Sequence, residues 1–415
     1  MVIIKPFKGI RPAKDKVHLV ASRSVDTYKP QQLNSKLAEN SYTFLHVIKP
    51  EFGEAVKNKI NSSESLKKIK TKFNKFVNEG IFRQDQTEGF YLYQQIKDGD
   101  TFTGIIGCAA IDDYFNGVIK VHEQTITSRE EKLKNYLEIC DFNAEPICMS
   151  YPDDKKINKI MDRVCEKEPL YDFTTTDRVR HKLWLIQGPE EVQDIISGFE
   201  KIPAIYIADG HHRSASSALL GKSKREKFPN YTGREAFNYF MVIFFPESQL
   251  KIYDYNRIVK DLNGLSAEEF LKKISEKFDI EEKDVPIYQP GHLHNFSMYL
   301  DGKWYSLTAK KGTYNDNDPI GILDAAILSE HILAPVLNIT DLKTDKRIAF
   351  VSGIKGMEEL KNQVDSGRMK VAFGLYPATM EQIKKIADTG NIMPPKTTWV
   401  EPKLRSGLVV YSLSE

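Results

Sequence analysis

The most chemically loaded stretch of the sequence is Asp209-Gly210-His211-His212-Arg213. It follows the apolar run Ile202-Pro203-Ala204-Ile205-Tyr206-Ile207-Ala208 and precedes the small-residue segment from Ser214 to Leu220. Such a run reads as a strand buried on both faces, so the polar residues fall where a strand turns into a helix. Gly210 permits a sharp turn and lets a ligand approach the backbone. The first helical N–H groups, around His211 to Ser214, lack partners within the helix and stand at the positive end of its dipole, which suits an anion. Arg213 adds a planar fork of donors that matches a phosphate. His211 and His212 can donate to a phosphate or carry a proton near neutral pH. Asp209 can accept a proton from a hydroxyl or help to hold magnesium. The plainer alternative makes Asp209 an N-cap beside two solvated histidines. Position 212 holds no Glu or Gln, so the reciprocal capping box is absent, and the cluster exceeds what capping needs.

Two further clusters offer partners. His122-Glu123-Gln124-Thr125 follows a candidate strand and could supply a base or a metal ligand, or could be no more than a polar strand end. The segment Met393 to Gly407 contains three prolines that stiffen it. It presents Lys396, Lys403 and Arg405 with the hydroxyls of Thr397, Thr398 and Ser406, a composition able to grip a phosphate or carboxylate. An extended surface loop is the alternative. Arg11, Asp26 and Glu51 are isolated N-terminal charges, for which solvation is the default.

These residues need elements to position them. Val17 to Ala21, Tyr42 to Ile48, Phe90 to Gln95, Thr103 to Ala110 and His181 to Ile186 read as strands, and residues 64–79, 128–138, 151–168 and 190–201 as helices. The helix after Arg213 is expected to stop at Gly221. Further on, Phe237 to Phe245, Leu250 to Tyr255, Phe296 to Leu307, Arg347 to Ser352, Val371 to Leu375 and Leu408 to Leu413 read as strands. Ala267 to Phe278, Leu323 to Leu337 and Met380 to Ala387 read as helices. The alternation predicts an α+β (mixed α/β) architecture. A boundary near Pro246 to Leu250 divides the chain into regions 1–247 and 248–415, with the closing loop 393–407 returning to the active site.

Composition narrows the function. A chain of 415 residues suggests more than one domain, since single cores stop growing beyond roughly 250–300 residues. Lys+Arg at 59 and Asp+Glu at 57 leave a net charge of +2, which argues against a nucleic-acid binder but not against a local anion site. The four cysteines form no Cys-x-x-Cys pair, and Cys108, within Gly104 to Ala110, reads as a core residue. So few cysteines fit a reducing compartment, and no stretch approaches the ~18 apolar residues of a membrane span. A cytoplasmic enzyme is expected, with no membrane partner. The sequence sets no oligomeric state.

In this order, Lys8-Gly9-Ile10-Arg11-Pro12, His122-Glu123-x-Thr125, Asp209 to Arg213 and Met393-Pro394-Pro395-Lys396-x-Thr398 resemble a family of prokaryotic proteins of similar length. The Asp-Gly-His-His-Arg element is also similar to that of free L-serine kinases with the ParB/sulfiredoxin fold. The resemblance implies a ParB/sulfiredoxin-like catalytic region over 1–247 and a phosphotransferase that forms O-phospho-L-serine. The donor is pyrophosphate or a nucleotide (ATP or ADP), with magnesium as cofactor. It assigns Asp209, His211, His212 and Glu123 to catalysis. Gly210, Arg213, Ser214, His122, Thr125, Arg11, Asp26, Lys396, Thr397, Thr398, Lys403, Arg405 and Ser406 fall to phosphate or substrate binding. Relatives tend to carry Pro-Tyr-Asp where this chain has Ser24-Val25-Asp26, so Asp26 is kept while its neighbours differ. The general base stays open among Glu123, Glu51 and Asp209. Sulfiredoxin chemistry needs a cysteine where this chain has His211, and the Walker and Gly-rich kinase loops are absent. The alternatives are a metal-dependent phosphohydrolase using His122, Glu123, Asp209 and His211, and a non-catalytic nucleotide-binding regulator.

Overall fold

The structure is a computed structural model that describes residues 1–54 and 57–414. It divides into two compact units. The first comprises Met1–Lys120, Thr125–Leu250 and Pro402–Glu415, and the second Val121–Gln124 with Lys251–Glu401. The main boundary lies between Leu250 and Lys251. Pro402–Glu415 belongs to the first unit. Backbone pairing explains this, since Gly407 donates to Ala144, Val410 bridges Ile10, and Tyr411–Ser412 pairs with Phe142–Asn143. No helix among the described residues is long and apolar enough to cross a membrane.

The architecture is mixed α/β in both units. In the first, the main sheet runs Ile119–Lys120, Ile205–Asp209, Ile147–Tyr151, Tyr239–Pro246, Asp100–Ala110, Phe90–Lys97, Arg180–Ile186, Tyr171–Thr174. Ile4–Lys5 pairs beside Asp100–Ala110. The central strands are nearly continuous apolar runs, as burial on both faces requires. Cys108 is indeed core.

Four local expectations are corrected. Val17–Val20 and Leu45–Ile48 are short helices, because short apolar runs do not distinguish strand from helix without tertiary context. Phe296 to Leu307 is a hairpin of Asn295–Leu300 and Lys303–Ala309, turned by Asp301 and Gly302, both at positive φ. Gly221 does not end its helix, which runs from His211 to Lys227. A Cβ there would lie 2.4 Å from both the Phe237 carbonyl oxygen and the Ile111 side chain, so Gly221 serves close packing.

The second unit is built on a sheet ordered Phe278–Lys283, Lys303–Ala309, Asn295–Leu300, Val371–Gly374, Lys251–Val259, Ile348–Ser352, with Thr398–Glu401 also pairing with Lys251–Val259. Its core contains an acidic pair. Asp254 and Asp324, 5% and 4% exposed, border a cavity of about 10 Å³ together with Gln382 and Thr397. Burial pushes the Asp254 carboxyl up from 3.8 to about 6, and the nearby Asp324 adds to the effect. A folded pKa above the unfolded one means that stability is present at low pH and falls as pH rises between about 4 and 6. We expect Asp254→Asn to remove this fall, a difference on the order of 2–3 kcal/mol at pH 7. Hydrogen exchange of Lys251–Val259 as a function of pH measures it.

Candidate active site

In the first unit, strand Ile205–Asp209 runs antiparallel to Ile147–Tyr151 and parallel to Ile119–Lys120. Its register shifts at the end: Ile207 pairs with Met149, yet Asp209 pairs with Cys148. Ala208 is thus the extra residue of a bulge, a device that re-aims the following side chain. Gly210 then adopts a left-handed conformation (φ 108) and is itself the N-cap of His211–Lys227, with no side-chain cap. The reading of Asp209 as the cap is therefore excluded. The first-turn N–H groups have no capping side chain, the condition under which a helix N-terminus receives an anion.

Asp209 meets Lys403 instead. The Lys403 ammonium donates to Asp209 Oδ2 at 2.7 Å, with the two side chains 35% and 43% exposed. Burial alone would raise the Asp209 carboxyl, but the charges of Lys403 and Arg213 hold it below its ordinary value. It is an ionised carboxylate at neutral pH, partly open to solvent, beside an ammonium and a helix N-terminus. Its ladder partner Cys148 is no rival nucleophile, because burial pushes that thiol up to about 12.

The neighbouring motif residues face inward. Arg213 Nη1 donates to the carbonyls of Glu145 (3.1 Å) and Pro146 (2.8 Å), and its guanidinium lies over Gly210. A Cβ on Gly210 would sit 3.1 Å from that guanidinium, so the left-handed turn and the arginine fit each other only with glycine. His211 is buried, and His212 Nε2 accepts from the Ile126 amide at 3.1 Å, which leaves its proton on Nδ1. Thr125 directly precedes Ile126 and is half-buried. The Ser214 hydroxyl donates to the Gly210 carbonyl at 3.2 Å. Arg213 and Ser214 thus shape the turn in this arrangement, while Asp209, Lys403 and the helix N-terminus present the chemistry.

Several other expected residues of the first unit make ties of their own. Arg11 is bound in a fork by Asp85, with Nε 2.9 Å from both oxygens and Nη2 at 2.6 Å from Oδ1, and its Nη1 donates to Tyr171 at 3.0 Å. Tyr91 completes this group by donating to Asp85 and accepting from the Gly9 amide. The Lys8 to Pro12 motif is thereby a structural lock in which Arg11 is fully engaged. Asp26 lies exposed in a single turn, Val25–Thr27. Glu51 is held by Asn58 and Lys68. Arg405 is buried against Asp177, and Ser406 exchanges backbone hydrogen bonds with Ser22. In the second unit, Glu123 is exposed, and the carbonyl of the buried His122 accepts from Met393. Lys396 has a left-handed backbone and its ammonium lies 5.1 Å over the Tyr255 ring. Thr397 donates to Pro394, and Thr398 pairs in the sheet.

Sequence reasoning missed Asp177 and Thr175, which hold Arg405, and Asp85, which holds Arg11. The only available signal was the polar run Thr174-Thr175-Thr176-Asp177 between two strands, which marks a turn but not a partner. A cleft of about 370 Å³, lined by Lys14, Lys167, Trp184 and Glu191 among others, shares no residue with the Asp209 cluster. As a magnesium site Asp209 fits poorly: it brings one carboxylate among the cations Lys403 and Arg213, a set that receives an anion.

The sequence matches the family described as "Protein of unknown function (DUF1015)" over residues 4–326, and the chain belongs to that family. No curated protein matches it. Among solved structures, a free serine kinase in complex with AMP is 12% identical, with 74% of this chain and 91% of that one covered at a TM-score of 0.37. SbnI with C-terminal truncation from Staphylococcus aureus is 12% identical (74% and 87% covered, TM-score 0.39). A conserved hypothetical protein from Pyrococcus furiosus is 13% identical (74% and 94% covered, TM-score 0.35).

Proposed function

We propose that this DUF1015 protein is a small-molecule phosphotransferase that phosphorylates the hydroxyl of free L-serine at the Asp209 cluster. The observation that carries the reading is the ionised Asp209 carboxylate, paired at 2.7 Å with Lys403 and directly followed by an uncapped helix N-terminus. The similarity of Asp209 to Arg213 to the motif of free L-serine kinases supplies the substrate. In the step proposed, the serine Oγ forms a bond to phosphorus while the bond from phosphorus to the donor oxygen breaks. The hydroxyl proton passes to the Asp209 carboxylate. The helix N–H groups and Lys403 neutralise the phosphoryl oxygens, the kind of positioning and charge compensation on which phosphoryl transfer depends. The donor is pyrophosphate or an adenine nucleotide, whose phosphate chain would carry magnesium as its counter-ion.

The test is direct. The protein is incubated with L-serine, magnesium and each of ATP, ADP and pyrophosphate, and O-phosphoserine is measured by mass spectrometry. Serine-dependent O-phosphoserine with at least one donor is expected. Phosphate release without serine dependence would instead identify a phosphohydrolase, and donor binding without turnover a regulator.

A further inference from the structure

Lys403 pairs with Asp209 through its ammonium. The loop around it is anchored on both sides. Its carbonyl accepts from Gln95 Nε2 at 3.2 Å. Two residues on, the Arg405 side chain is 5% exposed, and its Nη2 donates to both oxygens of Asp177 (3.0 and 2.8 Å) and to Thr175 Oγ1 (3.2 Å). Asp177 lies in the turn between Tyr171–Thr174 and Arg180–Ile186, and Gln95 in the strand that pairs with the latter.

The receiving surface is itself cross-linked. Thr175 Oγ1 donates to Asp177 at 2.6 Å and lies 3.1 Å from His181 Nε2, whose Nδ1 is 2.8 Å from the Tyr93 hydroxyl. Burial, reinforced by the Arg405 charge, pushes His181 down to about 3, so it stays neutral within this network near pH 7. Leu404, between the two basic residues, packs in the same apolar cluster as Tyr93 and Leu183. Arg405 Nη2 thus carries three contacts, and a phosphate on that nitrogen would have to displace it from a buried ion pair.

We infer that Arg405 is a positioning residue: by clamping the 402–406 loop to the Thr175–Asp177 turn, it places the Lys403 ammonium on Asp209. The inference rests on the functional reading only for its consequence, since the clamp and the ion pair are both geometric. It reassigns Arg405 from binding an anion to holding the residue that does.

The test needs no turnover, so failure of the kinase assay leaves it intact. The carboxyl of Asp209 is titrated by carbon-13 NMR in the full chain, with Asp112, ion-paired to Arg225 at 2.6 Å, as control. Lys403→Ala is expected to raise the Asp209 midpoint. Arg405→Ala is expected to give at least half that rise, Arg405→Lys to restore part of it, and the double variant to add nothing to Lys403→Ala. Asp112 stays in place throughout. Should Arg405→Ala not fold, Asp177→Asn loosens the same clamp and is expected to shift Asp209 in the same direction. An unchanged Asp209 midpoint in both Arg405→Ala and Asp177→Asn would overturn the inference. So would a shift of equal size at Asp112, which would report general loosening.

Discussion

Asp209→Asn is expected to lower kcat/KM for O-phosphoserine formation by roughly 10²–10⁴-fold, the range in which a positioned acid or base contributes. The substitution is nearly isosteric and removes the proton acceptor while keeping a hydrogen-bond acceptor for Lys403. Stability is expected to change by less than about 1 kcal/mol, because the Asp209–Lys403 pair is partly solvated and such pairs contribute little. Rate and stability are thus predicted to separate, and this separation distinguishes a catalytic carboxylate from a structural one. The pH dependence has a definite sign. Burial opposes ionisation, yet Lys403 and Arg213 hold the carboxyl below its ordinary 3.8. The base is therefore active down through the usual carboxylate range and is lost only as pH falls through its lowered value. The small stability it contributes has the same direction: present above 3.8 and lost on acidification. Normal turnover by Asp209→Asn, measured under saturating serine and donor, would remove Asp209 from the mechanism.

Gly407→Ala is expected to be among the most destabilising single-methyl changes in the chain. Gly407 has φ 75, where an L side chain is strained, and a Cβ there would lie 2.5 Å from the Phe44 ring. Phe44 cannot retreat: it is fully buried among Phe73, Phe82 and Phe142. Left-handed strain and overpacking together cost roughly 2–5 kcal/mol. For a unit of this size that lowers Tm by on the order of 5–10 °C. The position matters for function as well. Gly407 donates to Ala144, next to the Glu145 and Pro146 carbonyls that receive Arg213, and it follows the loop that carries Lys403 and Arg405. Its alanine variant is thus expected to lose activity in step with thermal stability, in contrast to Asp209→Asn. A variant with unchanged Tm by calorimetry would show that the aromatic cluster yields more readily than its packing indicates.

Much of the first unit is legible in the sequence. The helix Ser63–Asn78 carries Leu66, Ile69, Phe73 and Phe76 at helical spacing, and all four are buried. The strands Phe90–Lys97 and Asp100–Ala110 were marked by apolar runs around the polar turn Asp98-Gly99. The helix Val17–Val20 was not legible, because four residues offer less than one and a half helical periods. Nor was the fate of Gly221: a glycine near a helix end signals a stop by local rules, and only the neighbours Ile111 and Phe237 make it a packing position.

For the candidate site, the sequence alone determined the strand, the glycine turn and the helix, since all three follow from contacts among near neighbours: an apolar run, a residue free to take positive φ, and a string of small residues. It also determined that Asp209 stands at their junction. Tertiary structure decided what that junction faces. The bulge at Ala208 depends on the register with Ile147–Tyr151, which no local pattern encodes. The partner of Asp209 is Lys403, 194 residues away, and the partner of Arg405 is Asp177, 228 residues away. Two basic residues separated only by Leu404 read alike in sequence. Their roles diverge because one ends in a partly solvated pair beside a helix N-terminus and the other in a buried pair beneath a turn.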